Sequence, residues 1–274
     1  MEKYLIALDM DGTLLNSQGK ITKRTLEVLK ELLQKGHYIV PASGRAFTIL
    51  PEEILKLEGI QFAVLENGAV VWDWKKQSAI KQEPLPKGIV KAILEDIEEQ
   101  GSSGYYAEVI VNGKVYADVK IQKELEHSKI AGNFAEYMRQ NHIFLEQLSS
   151  RTELLDAAEK LNIYFEDVKL SENVRAKWET EPKLNVTTSV SGNAEFTAAG
   201  MNKGYGIKIL QQYLGISKQQ CIAIGDNEND LEMFGQVQLA VAMGNAKEHV
   251  KRAADEVTLS CDDDGVAVFL EQYC

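Results

Sequence analysis

The amino-acid sequence predicts an α/β protein, a doubly wound parallel sheet interrupted by an inserted α+β unit. Three observations carry that prediction. Four stretches (YLIALDMDGT, HYIVPASGR, FAVLENG and CIAIGDNEND) each run from apolar residues into a short polar cluster. Segments of helical period separate them, and the middle of the chain lacks such long apolar runs. A run of Ile, Val, Leu and Ala without polar alternation marks a strand buried on both faces, as in a parallel sheet covered by helices.

YLIAL is the first strand. Thr22–Lys35 then places Leu26, Leu29, Leu32 and Leu33 on one helical face, with Thr22 as N-cap and Gly36 as stop. HYIVPA is the second strand, Phe47–Leu57 a second helix, and FAVLE a third strand. This βαβαβ order implies parallel strands with right-handed crossovers. From about Pro84 to Val190 the pattern mixes. Ile89–Ile97 and Thr152–Lys160 read as helices, LNIYFEDV and KLNVTTSV as strands, and YYAEVIVNGKVYADV as a hairpin about Asn112-Gly113. A separate α+β unit with one wetter sheet face is expected there. Lys203–Leu214 resumes as a helix, followed by the strand CIAIG, a helix through Leu231 and Phe234, the strand QLAVAM and further helix. The expected division is a core made of residues 1–83 and 191–274, with 84–190 inserted. Pro84 and Pro86 mark one junction, and Ser191-Gly192-Asn193 the other.

The 274 residues are enough for one large domain or two ordinary ones. Basic side chains number 30 against 41 acidic, a formal charge of -11. That balance works against nonspecific binding to nucleic acid or anionic membranes. A small phosphorylated ligand remains compatible, because it feels the local field. No basic-then-apolar leader opens the chain, and no window approaches about eighteen uninterrupted apolar residues. Cys221, Cys261 and Cys274 are an odd set without metal-ligand spacing, and read as reduced thiols of a cytoplasmic protein. His37, His127, His142 and His249 are scattered and none pairs at zinc spacing.

In such sheets ligands bind beyond the carboxyl ends of the strands. Those ends carry Asp9, Asp11, Ser43, Asn67, Asp226 and Asp230. Asp9-Met10-Asp11-Gly12-Thr13 offers two carboxylates that take different roles if the backbone turns between them. The alternative is a plain polar turn, since Asp-Gly is a common hairpin dipeptide. Asp226 and Asp230, with Asn227, Glu228 and Asn229 between them, follow the strand CIAIG. Clustered carboxylates repel unless a cation neutralises them, and an all-oxygen donor set calls for a hard ion, best Mg²⁺. Helix capping is the competing explanation for Asp226. Ser43 and the amides after it suit a phosphate oxygen, or simply cap a helix. Lys203 opens a returning helix, where a lysine is ordinarily solvated. Asn67-Gly68 has the composition of a type I′ turn between FAVLE and AVVWD.

As a set, DMDGT at 9–13, SGR at 43–45, Lys203-Gly204 and GDNEND at 225–230 resemble the haloacid dehalogenase superfamily of phosphotransfer enzymes. Their order, with a large insertion between Arg45 and Lys203, is similar to its Cof-type branch, in which a mobile α/β cap sits over a Rossmann-like core. NGA at 67–69 and AMGNA at 242–246 are also similar to segments of that branch. The resemblance implies that Asp9 is the nucleophile forming an aspartyl-phosphate, and that Asp11 is general acid and then base. It implies Mg²⁺ bound by Asp9, the backbone carbonyl of Asp11 and Asp226, with Asp230 supporting from behind. It places phosphoryl oxygens against the Met10 backbone, Ser43, Gly44, Lys203 and Asn229. The activity implied is hydrolysis of small phosphate monoesters, sugar phosphates or related metabolites, by a monomer or weak homo-oligomer. A phosphomutase on the same scaffold stays open. So does a signalling module phosphorylated on aspartate, although the insertion and the separated acids count against it.

Overall fold

The computed structural model describes residues 3–99, 104–124 and 138–273. His127 and Cys274 lie outside them. In chain order the first elements are β1 (Leu5–Leu8), α1 (Lys23–Gln34), β2 (Tyr38–Pro41), α2 (Glu52–Leu55), β3 (Phe62–Leu65), β4 (Val70–Asp73) and β5 (Ser78–Gln82). The middle of the chain forms α3 (Ile89–Glu99), β6 (Tyr105–Val111), β7 (Lys114–Asp118), α4 (Val119–Glu124), β8 (His142–Leu145), α5 (Thr152–Asp156), β9 (Lys160–Phe165), α6 (Val168–Trp178), β10 (Leu184–Thr187) and β11 (Asn193–Ala198). The last part adds α7 (Lys203–Leu214), β12 (Cys221–Gly225), α8 (Leu231–Phe234), β13 (Leu239–Ala242), α9 (Glu248–Ala253), β14 (Glu256–Val257) and α10 (Gly265–Tyr273).

Two compact units result. The first comprises Met1–Arg45, Leu50–Gln82 and Asn202–Cys274; the second comprises Ala46–Ile49 and Glu83–Met201. In the first unit a parallel sheet has the order β14-β13-β12-β1-β2. Leu5–Leu8 pairs with Cys221–Ile224 on one side and Tyr38–Pro41 on the other. Successive residues of a strand point to opposite faces. Ile6 and Leu8 accordingly pack with Ile39, Ile222 and Ile224 against Leu29 and Leu32 of α1 and Val266 and Leu270 of α10. Leu5 and Ala7 pack with Val40 and Ala223 against Ile207 and Leu210 of α7 and Met233 of α8. Both faces are dry, which is why the strands read as unbroken apolar runs.

Helix α1 begins where Thr22 Oγ1 accepts the Thr25 N–H at 3.2 Å, as its residue type predicts. The expected helix Phe47–Leu57 is instead a single 3₁₀ turn, Phe47–Ile49, followed by the short α2. Pro51 interrupts it, since proline lacks an N–H and disfavours a helical residue before it. FAVLE is also not a full member of the parallel sheet. Strand β3 is joined to this sheet by one parallel bridge, from Ala42 just after β2 to Val64, and then pairs antiparallel with β4, which pairs with β5.

The second unit has a mixed sheet of order β10-β11-β9-β6-β7-β8. Asn112 and Gly113, both at positive φ, turn β6 into the antiparallel β7 as their dipeptide predicts. Ala107, Val109, Leu161, Ile163 and Phe196 form one face, packed on Ile93 and Ile97 of α3, Leu155 of α5 and Val174 of α6. The opposite face mixes apolar residues such as Tyr106, Ile110 and Val115 with buried polar pairs. There Glu108 meets His142 at 2.8 Å and Asn162 at 2.9 Å, and Lys160 meets Glu195 at 2.8 Å. The junction expected at Ser191-Gly192-Asn193 is displaced. Asn193–Ala198 is β11, hydrogen-bonded to β9 and β10, so the chain leaves this unit after Met201. No helix among the described residues is long and apolar enough to cross a membrane.

Candidate active site

The carboxyl ends of β1 and β12 lie side by side, because the parallel register pairs Leu8 with Ile224. Asp9 therefore emerges next to the turn after Gly225, and the Asp9 N–H still donates to Ile224 O at 3.0 Å. Helix α7 delivers Lys203 from its first position, held by Asn202 as N-cap, whose Oδ1 accepts the Tyr205 N–H at 2.8 Å. Lys203 Nζ then donates to Asp9 Oδ1 at 2.5 Å and to Asp230 Oδ1 at 2.6 Å. The lysine is 1% exposed. It is not the solvated residue that its type alone suggests.

Asp9, Asp226 and Asp230 each place one carboxylate oxygen within 4.8 Å of the others. Capping does not explain Asp226. Asn227 caps the turn that follows, and Asp230 Oδ2 accepts the N–H groups of Asp226 and Asn227 at 2.9 and 3.0 Å. Asp230 thus spends one oxygen on Lys203 and the other on main-chain amides. Asp226 keeps its carboxylate for the cluster, steadied by Thr13 Oγ1 at 3.2 Å. Gly12, at φ +82°, brings its backbone so close that a Cβ there would sit 2.5 Å from Asp226 Oδ2.

Three carboxylates around one ammonium leave excess negative charge in a buried place. Burial raises the Asp9 pKa well above the usual carboxylate range, and the Asp230 charge adds to that; Asp226 moves the same way for the same two reasons. For Lys203 burial works downward, but the charges of Asp230 and Asp9 outweigh it and the net shift is upward. A divalent cation is the natural neutraliser, and carboxylate oxygens suit hard Mg²⁺. The residues fit that ion.

The remaining expected residues fall nearby with less closure. Ser43 is 2% exposed, and its Oγ accepts the Arg45 N–H at 3.2 Å, a local turn and not the cap of a helix. Gly44 and Asn229 are half-buried. The Met10 side chain belongs to the core, which leaves its backbone for any ligand contact. Asp11 is exposed and turns both carboxylate oxygens to Arg45, at 2.7 and 2.9 Å. Any ligation of an ion by Asp11 would come from its carbonyl.

Sequence reasoning assigned no role to Asn245, Thr13 or Arg45. Asn245 Nδ2 donates to Gly12 O at 2.8 Å and reaches Asp226 Oδ2 at 3.4 Å, while its Oδ1 accepts the Cys261 N–H at 2.9 Å. It follows β13, so the strand-end rule that finds Asp226 would also have found it. Asn67-Gly68 is the turn its composition suggests. Their φ values are 52° and 89°, and the Ala69 N–H closes on Glu66 O at 3.2 Å.

The chain matches the family model of haloacid dehalogenase-like hydrolases over residues 6–270. It is 30% identical to the 5-amino-6-(5-phospho-D-ribitylamino)uracil phosphatase YitU of Bacillus subtilis, over 98% of this chain and 97% of that protein. It is 31% identical to the phosphatase YwpJ of the same organism, over 96% and 97%. A haloacid dehalogenase-like hydrolase from Bacteroides thetaiotaomicron superposes with a TM-score of 0.82 at 26% identity, covering all of both chains. Magnesium is typical of hydrolases of this superfamily. With acids from both halves of the chain gathered on one buried lysine at the strand ends, this chain belongs to the haloacid dehalogenase-like hydrolases and is a phosphatase of phosphoric monoesters.

Proposed function

We propose that the protein hydrolyses small phosphorylated metabolites, sugar phosphates or related compounds, through a covalent phosphate on Asp9. The observation that carries this reading is Lys203 Nζ set 2.5 Å from Asp9 Oδ1, with the Asp226 and Asp230 carboxylates beside it. A phosphoryl group keeps its charge on peripheral oxygens, so its transfer needs positioning and cations more than elaborate covalent machinery. Asp9, Asp226 and the Asp11 carbonyl would hold Mg²⁺, with Asp230 orienting Lys203 and the Asp226 turn. The ion, when bound, withdraws charge from the phosphoryl oxygens and so lets a carboxylate approach an anion.

Lys203, the Ser43 hydroxyl, the amides of Met10 and Gly44, and Asn229 bind and orient the three oxygens. Asp9 attacks phosphorus, and Asp11 gives a proton to the departing alcohol and later takes one from water. Such acid–base help is worth on the order of 10²- to 10⁴-fold. The relative named for a phosphorylated ribityl compound supports a small polyol-like substrate. A cytoplasmic enzyme, monomeric or weakly associating, belongs to the same reading.

Asp9→Asn should abolish both turnover and phosphate incorporation into the protein, and excess EDTA should silence the wild type until Mg²⁺ is restored. Wild-type turnover by Asp9→Asn, or full activity in the chelator, would refute the assignment. Transfer to a second hydroxyl would instead give an isomerised product without free phosphate.

A further inference from the structure

Arg45 has no place in the roles above, yet it makes a two-point contact at the strand ends. Its Nε donates to Asp11 Oδ2 at 2.9 Å and its Nη2 to Asp11 Oδ1 at 2.7 Å. The arginine backbone is itself tied down. Its N–H donates to Ser43 Oγ at 3.2 Å, and its carbonyl accepts the Glu66 N–H at 3.2 Å. The side chains are 26% and 64% exposed, and an ion pair so open to water contributes little to stability. Its consequence is geometric. A guanidinium fork matched to a carboxylate fixes the carboxylate plane as well as its position, which a single contact cannot do.

We propose that Arg45 is the positioning residue of Asp11, holding the acid–base carboxylate in register with the oxygen that leaves phosphorus. This rests on the reading of Asp11 as that acid and base. A carboxyl oxygen that carries the proton for the leaving oxygen accepts from a guanidinium far more weakly than a carboxylate oxygen does. One of the two bonds therefore yields during transfer while the other keeps the carboxylate aimed. As the bond from Asp9 to phosphorus forms and the ester P–O bond breaks, Asp11 passes its proton to the ester oxygen and the alcohol departs neutral. The carboxylate so formed regains both contacts with Arg45. In the second step it takes a proton from the water that attacks phosphorus, Asp9 is released as carboxylate, and inorganic phosphate leaves.

The test uses leaving groups of different need. An alkoxide requires a proton to depart, whereas p-nitrophenolate does not, and kcat/KM reports the steps through leaving-group departure. Arg45→Ala, Arg45→Lys, Asp11→Asn and the double variant Arg45→Ala with Asp11→Asn are compared on glycerol 1-phosphate and p-nitrophenyl phosphate, with Mg²⁺ present. Arg45→Ala should lose about 10-fold or more in kcat/KM on the alkyl ester beyond any loss on the aryl ester. Arg45→Lys should keep most of that selective loss, because an ammonium restores charge without the fork. The double variant should be no worse than Asp11→Asn alone. Equal losses on both esters in a cooperatively melting Arg45→Lys protein, or additive losses in the double variant, would overturn the proposal. If Asp11→Asn itself shows no preference between the esters, the acid–base reading of Asp11 falls first.

Discussion

His37 shows how one side chain can couple stability to pH. It is buried, and its Nδ1 accepts the Tyr4 N–H at 3.1 Å. Protonation would set two donors against each other. Burial, and then the Lys35 charge, lowers its pKa from the ordinary value near 6.5. Above that value His37 is neutral in both folded and unfolded chains, and its contribution is fully present. As the pH falls through 6.5 toward the folded pKa, the unfolded chain takes the proton first and stability is lost. The difference in melting temperature between wild type and His37→Gln should therefore be larger at about pH 7.5 than at about pH 5. A difference independent of pH would refute this. Residues of this scale were unevenly legible. Asp9 and Asp226 stood out because each ends a buried apolar run with an acid. Arg45 and Thr13 lie inside the SGR and DMDGT motifs, yet their partners Asp11 and Asp226 are chosen by loop geometry that spacing does not encode.

At the scale of an element, the turn after β3 carries the heaviest conformational demand. Glu66, Asn67 and Gly68 are consecutive residues at positive φ, and all three are buried. The Asn67 N–H donates to Ser43 O and the Ser43 N–H to Val64 O, so this turn braces the loop that bears Ser43. On its other side a Cβ on Gly68 would sit 1.9 Å from Asn202 O, at the start of the helix bearing Lys203. Gly68→Ala should cost more than the roughly 1–2 kcal/mol of an ordinary left-handed alanine, because backbone must also move. Gly200, at φ +79° with nothing within 4 Å of a Cβ, is the control that bears the conformational cost alone. Denaturant unfolding that ranks the two alanine variants equally would contradict the brace. The same element shows a limit of pattern reading. FAVL is equally apolar whether its neighbours run parallel or antiparallel, so only Asn67-Gly68 signalled the hairpin. Strand β11 was hidden for the opposite reason. Asn193, Glu195 and Thr197 alternate with Ala194, Phe196 and Ala198, and a strand with one polar face resembles a linker.

Across the whole molecule, an interior strand of the first unit's parallel sheet comes before all of its partners in the chain. Strand β1 lies between β2 and β12, and its partner Cys221–Gly225 is separated from it by the entire second unit. The second unit closes its own apolar core from residues of its own segment. A chain ending at Met201 should therefore keep slow amide exchange in Tyr105–Val111 and Lys160–Phe165 while Leu5–Leu8 exchanges freely. Protection of Leu5–Leu8 in that fragment would show that β12 is dispensable.

Synthesis gives that arrangement a temporal meaning. On the ribosome, Leu5–Leu8 emerges long before Cys221–Gly225, and at roughly 5–20 residues per second the wait is on the order of ten seconds or more. Throughout it, a nascent strand of Leu, Ile and Ala has one edge without its eventual neighbour, a template for misplaced pairing. Newly made chains therefore carry this open edge until Cys221–Gly225 has left the ribosome, and the strand closes only then.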